Sequence, residues 1–238
     1  MPATIHLRPT APLAERVLLP GDPGRALSLA QALLSDPKMF NHNRGLWGYT
    51  GTAADGHRLT IQSTGMGGPS AAIVIAELAQ LGARRLVRVG TCGALDPSLE
   101  LGDLVIATES IVADGTSRAL GASERAPAGP VLLAALAAAG ELTTRSGAVV
   151  STDLFYDGAD GREQDWIAAG ALAVEMETAT LFTLAARRGL SAGSVLVVSD
   201  VVLPNRVRID PETLAKAERQ MGELAARALA TAKHEGFD

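Results

Sequence analysis

Short apolar runs of strand length alternate along the chain with longer segments whose apolar residues recur at helical spacing. Residues 16–20 read as a strand and 23–34 as a helix, with Pro23 tolerated in its first turn. Residues 47–53 and 57–63 flank the turn signal Ala54-Asp55-Gly56, which predicts a hairpin. An Ala-rich helix over 69–81 is followed by strands at 85–89 and 104–107. The stretch 115–130, rich in Gly, Ala, Ser and Pro, reads as a surface excursion. Beyond it come a helix at 131–139, an extended segment at 148–151, a helix at 162–169 and a short strand at 171–174. A helix at 177–188, a strand at 194–199 and a closing helix at 211–233 complete the order. No stretch has the composition of a linker and no repeat is present, so residues 1–238 form one domain. The expected fold is α/β: a mixed central β-sheet flanked by helices on both faces, in three layers α/β/α. Ligands of such sheets collect beyond the carboxyl ends of the strands.

Composition narrows the function. The 238 residues are 47% hydrophobic but only 3% aromatic, so the core is mostly Ala, Val and Leu. A net charge of −5 with no basic run argues against a nucleic-acid partner. Cys92 stands alone, so no intramolecular disulfide can form. No apolar run is long enough for a bilayer and the first residues lack a signal-like apolar core, so the expectation is a soluble cytoplasmic protein with no membrane partner. His6, His42, His57 and His234 show no ligand spacing with acids or Cys92, so no metal is expected.

The candidate chemistry begins with three arginines beside glycines. Arg25 closes Gly21-Asp22-Pro23-Gly24-Arg25, Arg44 precedes Gly45, and Arg88 lies within an apolar run that leads to Gly90 and Thr91. A buried guanidinium needs an anion, and its fork suits phosphate or carboxylate. Glycine lets backbone N–H groups close on the same anion. Thr64-Gly65-Met66-Gly67-Gly68-Pro69-Ser70 lacks the third glycine and the downstream acid of a dinucleotide loop, and no P-loop occurs. Gly67 and Gly68 therefore read as permitting a tight strand–helix turn. Glu175 and Glu177 flank Met176 at a strand–helix junction. Either glutamate can cap the helix. A carboxylate there can also grip a pair of sugar hydroxyls, with the methionine under the ring. Ser199-Asp200 places an acid at the end of an apolar strand, as a turn cap or at the mouth of the sheet.

Seven segments, in order, resemble the nucleoside phosphorylase-I family, nearest to its bacterial purine branch. They are Leu-Pro-Gly-Asp-Pro-Gly-Arg at 19–25, Asn-Arg-Gly-Leu-Trp-Gly-Tyr-Thr-Gly at 43–51, Thr-Gly-Met-Gly-Gly-Pro-Ser at 64–70 and Arg-Val-Gly-Thr-Cys-Gly-Ala at 88–94. Asp-Leu-Phe-Tyr at 153–156, Glu-Met-Glu at 175–177 and Ser-Asp at 199–200 follow. The resemblance implies that Gly21, Arg25, Arg88 and Thr91 hold phosphate, with Arg44 reaching it from a neighbouring subunit. It implies that Glu177 and Met176 hold the ribose, that His6 of the neighbour approaches the 5′-hydroxyl, and that Phe155, Val174, Ser199 and Asp200 surround the base. Asp200 would protonate the purine N7, assisted by Arg219 or, since the intervening loop is long, by Arg206 or Arg208. The implied assembly is a homo-hexamer, a trimer of dimers. The implied reaction takes a nucleoside and inorganic phosphate, as co-substrate and without a cofactor, to free base and (deoxy)ribose 1-phosphate.

Uridine phosphorylases of the family place a glutamine and an arginine where this chain has Ala159 and Gly161, and they lack the acid matching Asp200. Both differences favour purines. Residues 175–184 and Pro204-Asn205 look more like the pyrimidine branch, which leaves uridine phosphorolysis as the alternative, with a hydrolytic nucleosidase behind it.

Overall fold

The computed structural model describes residues 4–140, 144–156 and 158–232. In chain order the strands are β1 (Arg16–Leu19), β2 (Ser35–Asn41), β3 (Gly48–Thr52), β4 (Arg58–Gln62), β5 (Arg85–Ala94), β6 (Leu104–Ala113), β7 (Arg125–Pro127), β8 (Thr144–Thr152), β9 (Ala171–Glu175), β10 (Ser191–Val201) and β11 (Val207–Arg208). The helices are α1 (Pro23–Leu33), α2 (Gly68–Leu81), α3 (Gly115–Ala119), α4 (Pro130–Ala139), α5 (Arg162–Ala168), α6 (Thr178–Arg188) and α7 (Pro211–Thr231). Proline opens α1, α2, α4 and α7, where a missing N–H is harmless. Asp22, Asp114 and Asp210 cap the first turns of α1, α3 and α7 through their carboxylates. Gly82 and Gly189 end α2 and α6 in the left-handed conformation that glycine adopts without strain.

The expected mixed sheet with helices on both faces is present. Successive residues of β1 and β5 point to opposite faces, as strand geometry requires. Val17, Leu19 and Leu86 join the core beneath α2 and α6, where Val74, Leu78, Leu181 and Phe182 pack. Leu18, Val87 and Val89 join the opposite core with Leu29 of α1, Leu132 and Leu136 of α4, and Met221 and Leu224 of α7. Among the described residues no helix is long and apolar enough to cross a membrane.

Periodicity missed one property of the sheet. β5 pairs in parallel with β10 and antiparallel with β9, while β10, β6, β8 and β9 pair in series. These five strands therefore close into a ring. From β5 an open wing continues through β1, β4, β3 and β2. Ring strands are longer than expected: pairing with β10 carries β5 through Gly90 and Gly93 to Ala94, and pairing with β8 carries β6 through its polar residues Thr108–Ser110 to Ala113. The excursion at 115–130 contains α3 and β7, the latter an added edge on β6. β2 was not foreseen, since it is mostly exposed and contains Pro37; as the last strand of the wing it can lack a ladder donor. The expected end of the last helix, at 233, lies outside the described residues.

Candidate active site

Arg88 organises the site. It is only 5% exposed, on a strand buried along most of its length. Its guanidinium lies over Gly90, two residues on and on the same face of β5; a Cβ there would come within 2.7 Å of it. Nε meets Glu175 at 2.9 Å and Nη2 meets Glu177 at 2.6 Å. Burial works against the charge, but the two carboxylates outweigh it and push the Arg88 pKa up. The anion demanded by this arginine is thus supplied in part by the chain itself. Its remaining nitrogen, Nη1, faces the Gly21 loop: a Cβ on Gly21 would lie 4.0 Å from it.

The two glutamates divide the roles that the sequence left open. Glu175 is the cap: its carboxylate accepts the amides of Glu177 and Thr178 at 2.9 Å, with the Ser151 hydroxyl as a further donor. Glu177 turns to a cavity of about 390 Å³ and is anchored by Arg88 and by the Gly67 amide at the start of α2. Burial pushes its carboxyl above the usual range, with Arg88 pulling the other way. Gly67 therefore contacts a site carboxylate besides making the turn. Gly68 is fixed by packing, since a Cβ would lie 2.8 Å from Thr116 and Thr180.

Gly21, Arg25 and Thr91 line the same cavity as Arg88. Arg25 sits in the first turn of α1, and Glu218 of α7 holds its Nε at 2.7 Å. Met176 and Val174 line it as well, Val174 beside Gly93.

β10 adds Ser199 and Asp200 to the wall. Its register against β5 shifts between Val198 and Asp200, so Ser199 is a bulge that re-aims the following side chain. Asp200 is 6% exposed; Oδ1 accepts from the Ser199 hydroxyl at 3.0 Å, and Oδ2 lies 3.2 Å from Arg206. Arg206 also stacks over Phe155, 4.7 Å from the ring centroid. Gly93, opposite Asp200, leaves room for that carboxylate, since a Cβ would lie 3.2 Å from Oδ2.

Three expected residues are not in this cavity. Arg219 is corrected: it points outward from α7, two-thirds exposed, and pairs with Glu223 one turn on, while Glu218 takes the inward position. Of the other two arginines considered beside Asp200, Arg206 pairs with its carboxylate, while Arg208 stands opposite Asp200 across the β10–β11 ladder. Arg44 is exposed on a turn with φ 60°, and His6 lies against Glu77 at 2.7 Å. The two are nonetheless neighbours, because the Asn43 amide donates to the His6 carbonyl at 2.9 Å. Cys92 is buried, and burial pushes its thiol far up.

Sequence reading missed Arg162, Glu163 and Trp166, which α5 brings to the wall of the cavity. Arg162 bonds Glu163 at 2.9 Å and stands over Trp166 at 5.2 Å. Ala159 and Gly161 contribute no polar group, yet a guanidinium arrives from the next position. An adjacent arginine and glutamate at a helix start is the only trace this leaves in the sequence. Among the described residues no group of three His, Cys, Asp or Glu side chains could hold a metal ion.

A family model described as the phosphorylase superfamily matches residues 15–231, and the chain belongs to that family. It is 41% identical over 218 residues to a DeoD-type purine nucleoside phosphorylase of Geobacillus kaustophilus, covering 89% of each chain. It is 42% identical over 189 residues to a guanosine phosphorylase of Halorubrum lacusprofundi, covering 77% of each. Among solved structures, uridine phosphorylase of Vibrio fischeri superposes with a TM-score of 0.82 at 29% identity, covering 92% of each chain.

Proposed function

We propose that the protein cleaves the N-glycosidic bond of purine ribo- and deoxyribonucleosides with inorganic phosphate. The observation that carries this is that one cavity is lined by Arg25, Arg88 and Thr91, by Glu177 and Met176, and by Asp200, with Arg88 on Glu177 at 2.6 Å. Phosphate held by the arginines attacks C1′. The C1′–N9 bond breaks, its electron pair passes to the base, and a proton from Asp200 to N7 leaves the purine neutral. Positioning and charge stabilisation by Arg25 and Arg88 lower the barrier in a water-poor site. General acid assistance adds roughly 10²–10⁴-fold. Glu177, held by Arg88, accepts both ribose hydroxyls. Arg206 replaces Arg219 as the partner of Asp200. No cofactor takes part.

The working unit is a homo-oligomer, a trimer of dimers, in which His6 and Arg44 serve the neighbour's cavity. Support comes from their absence from the lining of their own cavity and from exposed apolar side chains near them in sequence or at the cavity rim. Ile5 is 71% and Met66 86% exposed, and Trp47 lies three residues beyond Arg44. The test is a panel of inosine, guanosine, adenosine and uridine, each with and without phosphate, read as free base. Purine release only with phosphate is expected. Release without phosphate would make the protein a nucleosidase, and release from uridine alone would favour the pyrimidine reaction.

A further inference from the structure

Phosphate, sugar and N7 leave one polar feature of the cavity wall without a role, the Arg162–Glu163 pair. Both side chains are about four-fifths buried. Arg162 is fixed twice, by Nε on Glu163 and by Nη1 on the Leu154 carbonyl at 3.1 Å. Gly158 makes room for it, since a Cβ at that position would overlap the guanidinium at 1.8 Å. Glu163 uses Oε1 on Arg162, and among the described residues neither its Oε2 nor the Arg162 Nη2 has a hydrogen-bond partner. The pair thus offers one donor beside carboxylate acceptors, next to the half-exposed Phe155 ring and the Trp166 indole.

We infer that this pair reads the Watson–Crick edge of the base and selects 6-oxopurines, guanine first. The inference rests on the phosphorolysis reading for the orientation of the base. A purine with N7 at Asp200 has its N1–C2 edge left for the remaining polar wall, which is Arg162 and Glu163. Guanine presents O6, N1–H and N2–H in a row, an acceptor and two donors, complementary to a guanidinium N–H and two carboxylate acceptors. Hypoxanthine keeps O6 and N1–H but lacks the third contact. Adenine presents a donor and then the N1 lone pair, which would face carboxylate and leave buried polar groups unpaired. Uracil places one N–H between two carbonyls and can use one acceptor.

The experiment measures free guanine, hypoxanthine and adenine binding by calorimetry, without phosphate or turnover, on the parent and on Glu163→Gln. In parallel, kcat/KM is measured for guanosine, inosine, adenosine and uridine with saturating phosphate. Guanine should bind tightest and adenine weakest. E163Q should lower guanine affinity and guanosine kcat/KM about 10–100-fold, leave adenosine within about threefold, and leave the KM for phosphate unchanged. Arg162→Met provides a second reading and should lower guanosine and inosine together, since both lose the O6 partner. A parent that binds adenine as tightly as guanine, or variants that weaken all bases equally, would overturn the assignment. Failure of phosphorolysis is distinguishable, because it abolishes phosphate-dependent base release and leaves the order of free-base affinities intact.

Discussion

The two ends of the cavity are built from different material. At the phosphate end every charge is anchored in regular structure: Arg88 on β5, Glu175 at the end of β9, Glu177 at the start of α6, the Gly67 amide at the start of α2. These side chains are almost fully buried, and one guanidinium is shared by two carboxylates. At the base end Val174, Ser199 and Asp200 come from ring strands, and a bulge aims the acid. Phe155, Arg162 and Arg206 come from connecting segments or a short helix, with Phe155 45% and Tyr156 76% exposed. The contrast teaches where change is tolerated. Altering the phosphate end disturbs the fold, because its charges are each other's counterions. Altering the base end changes which ring fits.

The largest expected effect comes from Arg88→Ala. It leaves Glu175 and Glu177 without their cation in a dry site, which should cost about 3–5 kcal/mol of stability and abolish phosphate saturation together. A thermal melt alongside phosphate titration checks both, and an unchanged melt would break the proposed contrast. Asp200→Asn should do the reverse: turnover of purine nucleosides falls roughly 10²–10⁴-fold while phosphate binding and the melt stay near those of the parent. Glu218→Ala releases Arg25 from α7 and should raise the KM for phosphate about tenfold with a smaller change in kcat, as expected for a charged hydrogen bond worth about 1.5–3 kcal/mol. Steady-state kinetics at varied phosphate separate this from a general loss of activity.

The smallest effect sharpens the contrast from outside the cavity. Asp55 is held by Arg16, whose side chain lowers its carboxyl from 3.8 to about 2. A lowered carboxyl stabilises the fold above its unfolded pKa, and that stability is lost as pH falls through the folded one. Asp55→Asn should therefore destabilise by on the order of 1 kcal/mol at neutral pH, with the difference from the parent vanishing toward pH 2. Denaturant titrations at several pH values would show it, with nucleoside kinetics unaltered.

Strand–helix alternation in the sequence was enough for the sheet and its two helical layers, because Leu18 and Leu19 or Val87 and Leu86 each face a separate core. Local pattern could not show ring closure, which depends on β5 meeting both β9 and β10 across long separations. It also could not show β2, whose residues are mostly exposed. At the site, the arginines beside glycines and the acids at strand ends stood out because such placement is rare. Which glutamate caps α6 depended on which way each side chain turns, and the choice between Arg206 and Arg219 depended on the outward face of α7. Arg162 and Glu163 carried no warning, since the first turn of a helix is an ordinary place for both.

The closed ring carries a mechanical consequence. Five strands bonded head to tail behave as a hoop, in which displacing one member drags both neighbours. Such a frame cannot widen by spreading, so a bulkier or smaller ring must be met by the segments hung on its rim, 153–156, 158–166 and 202–208. Diversification within this architecture should then proceed by remodelling those two hangings while the hoop keeps its circumference.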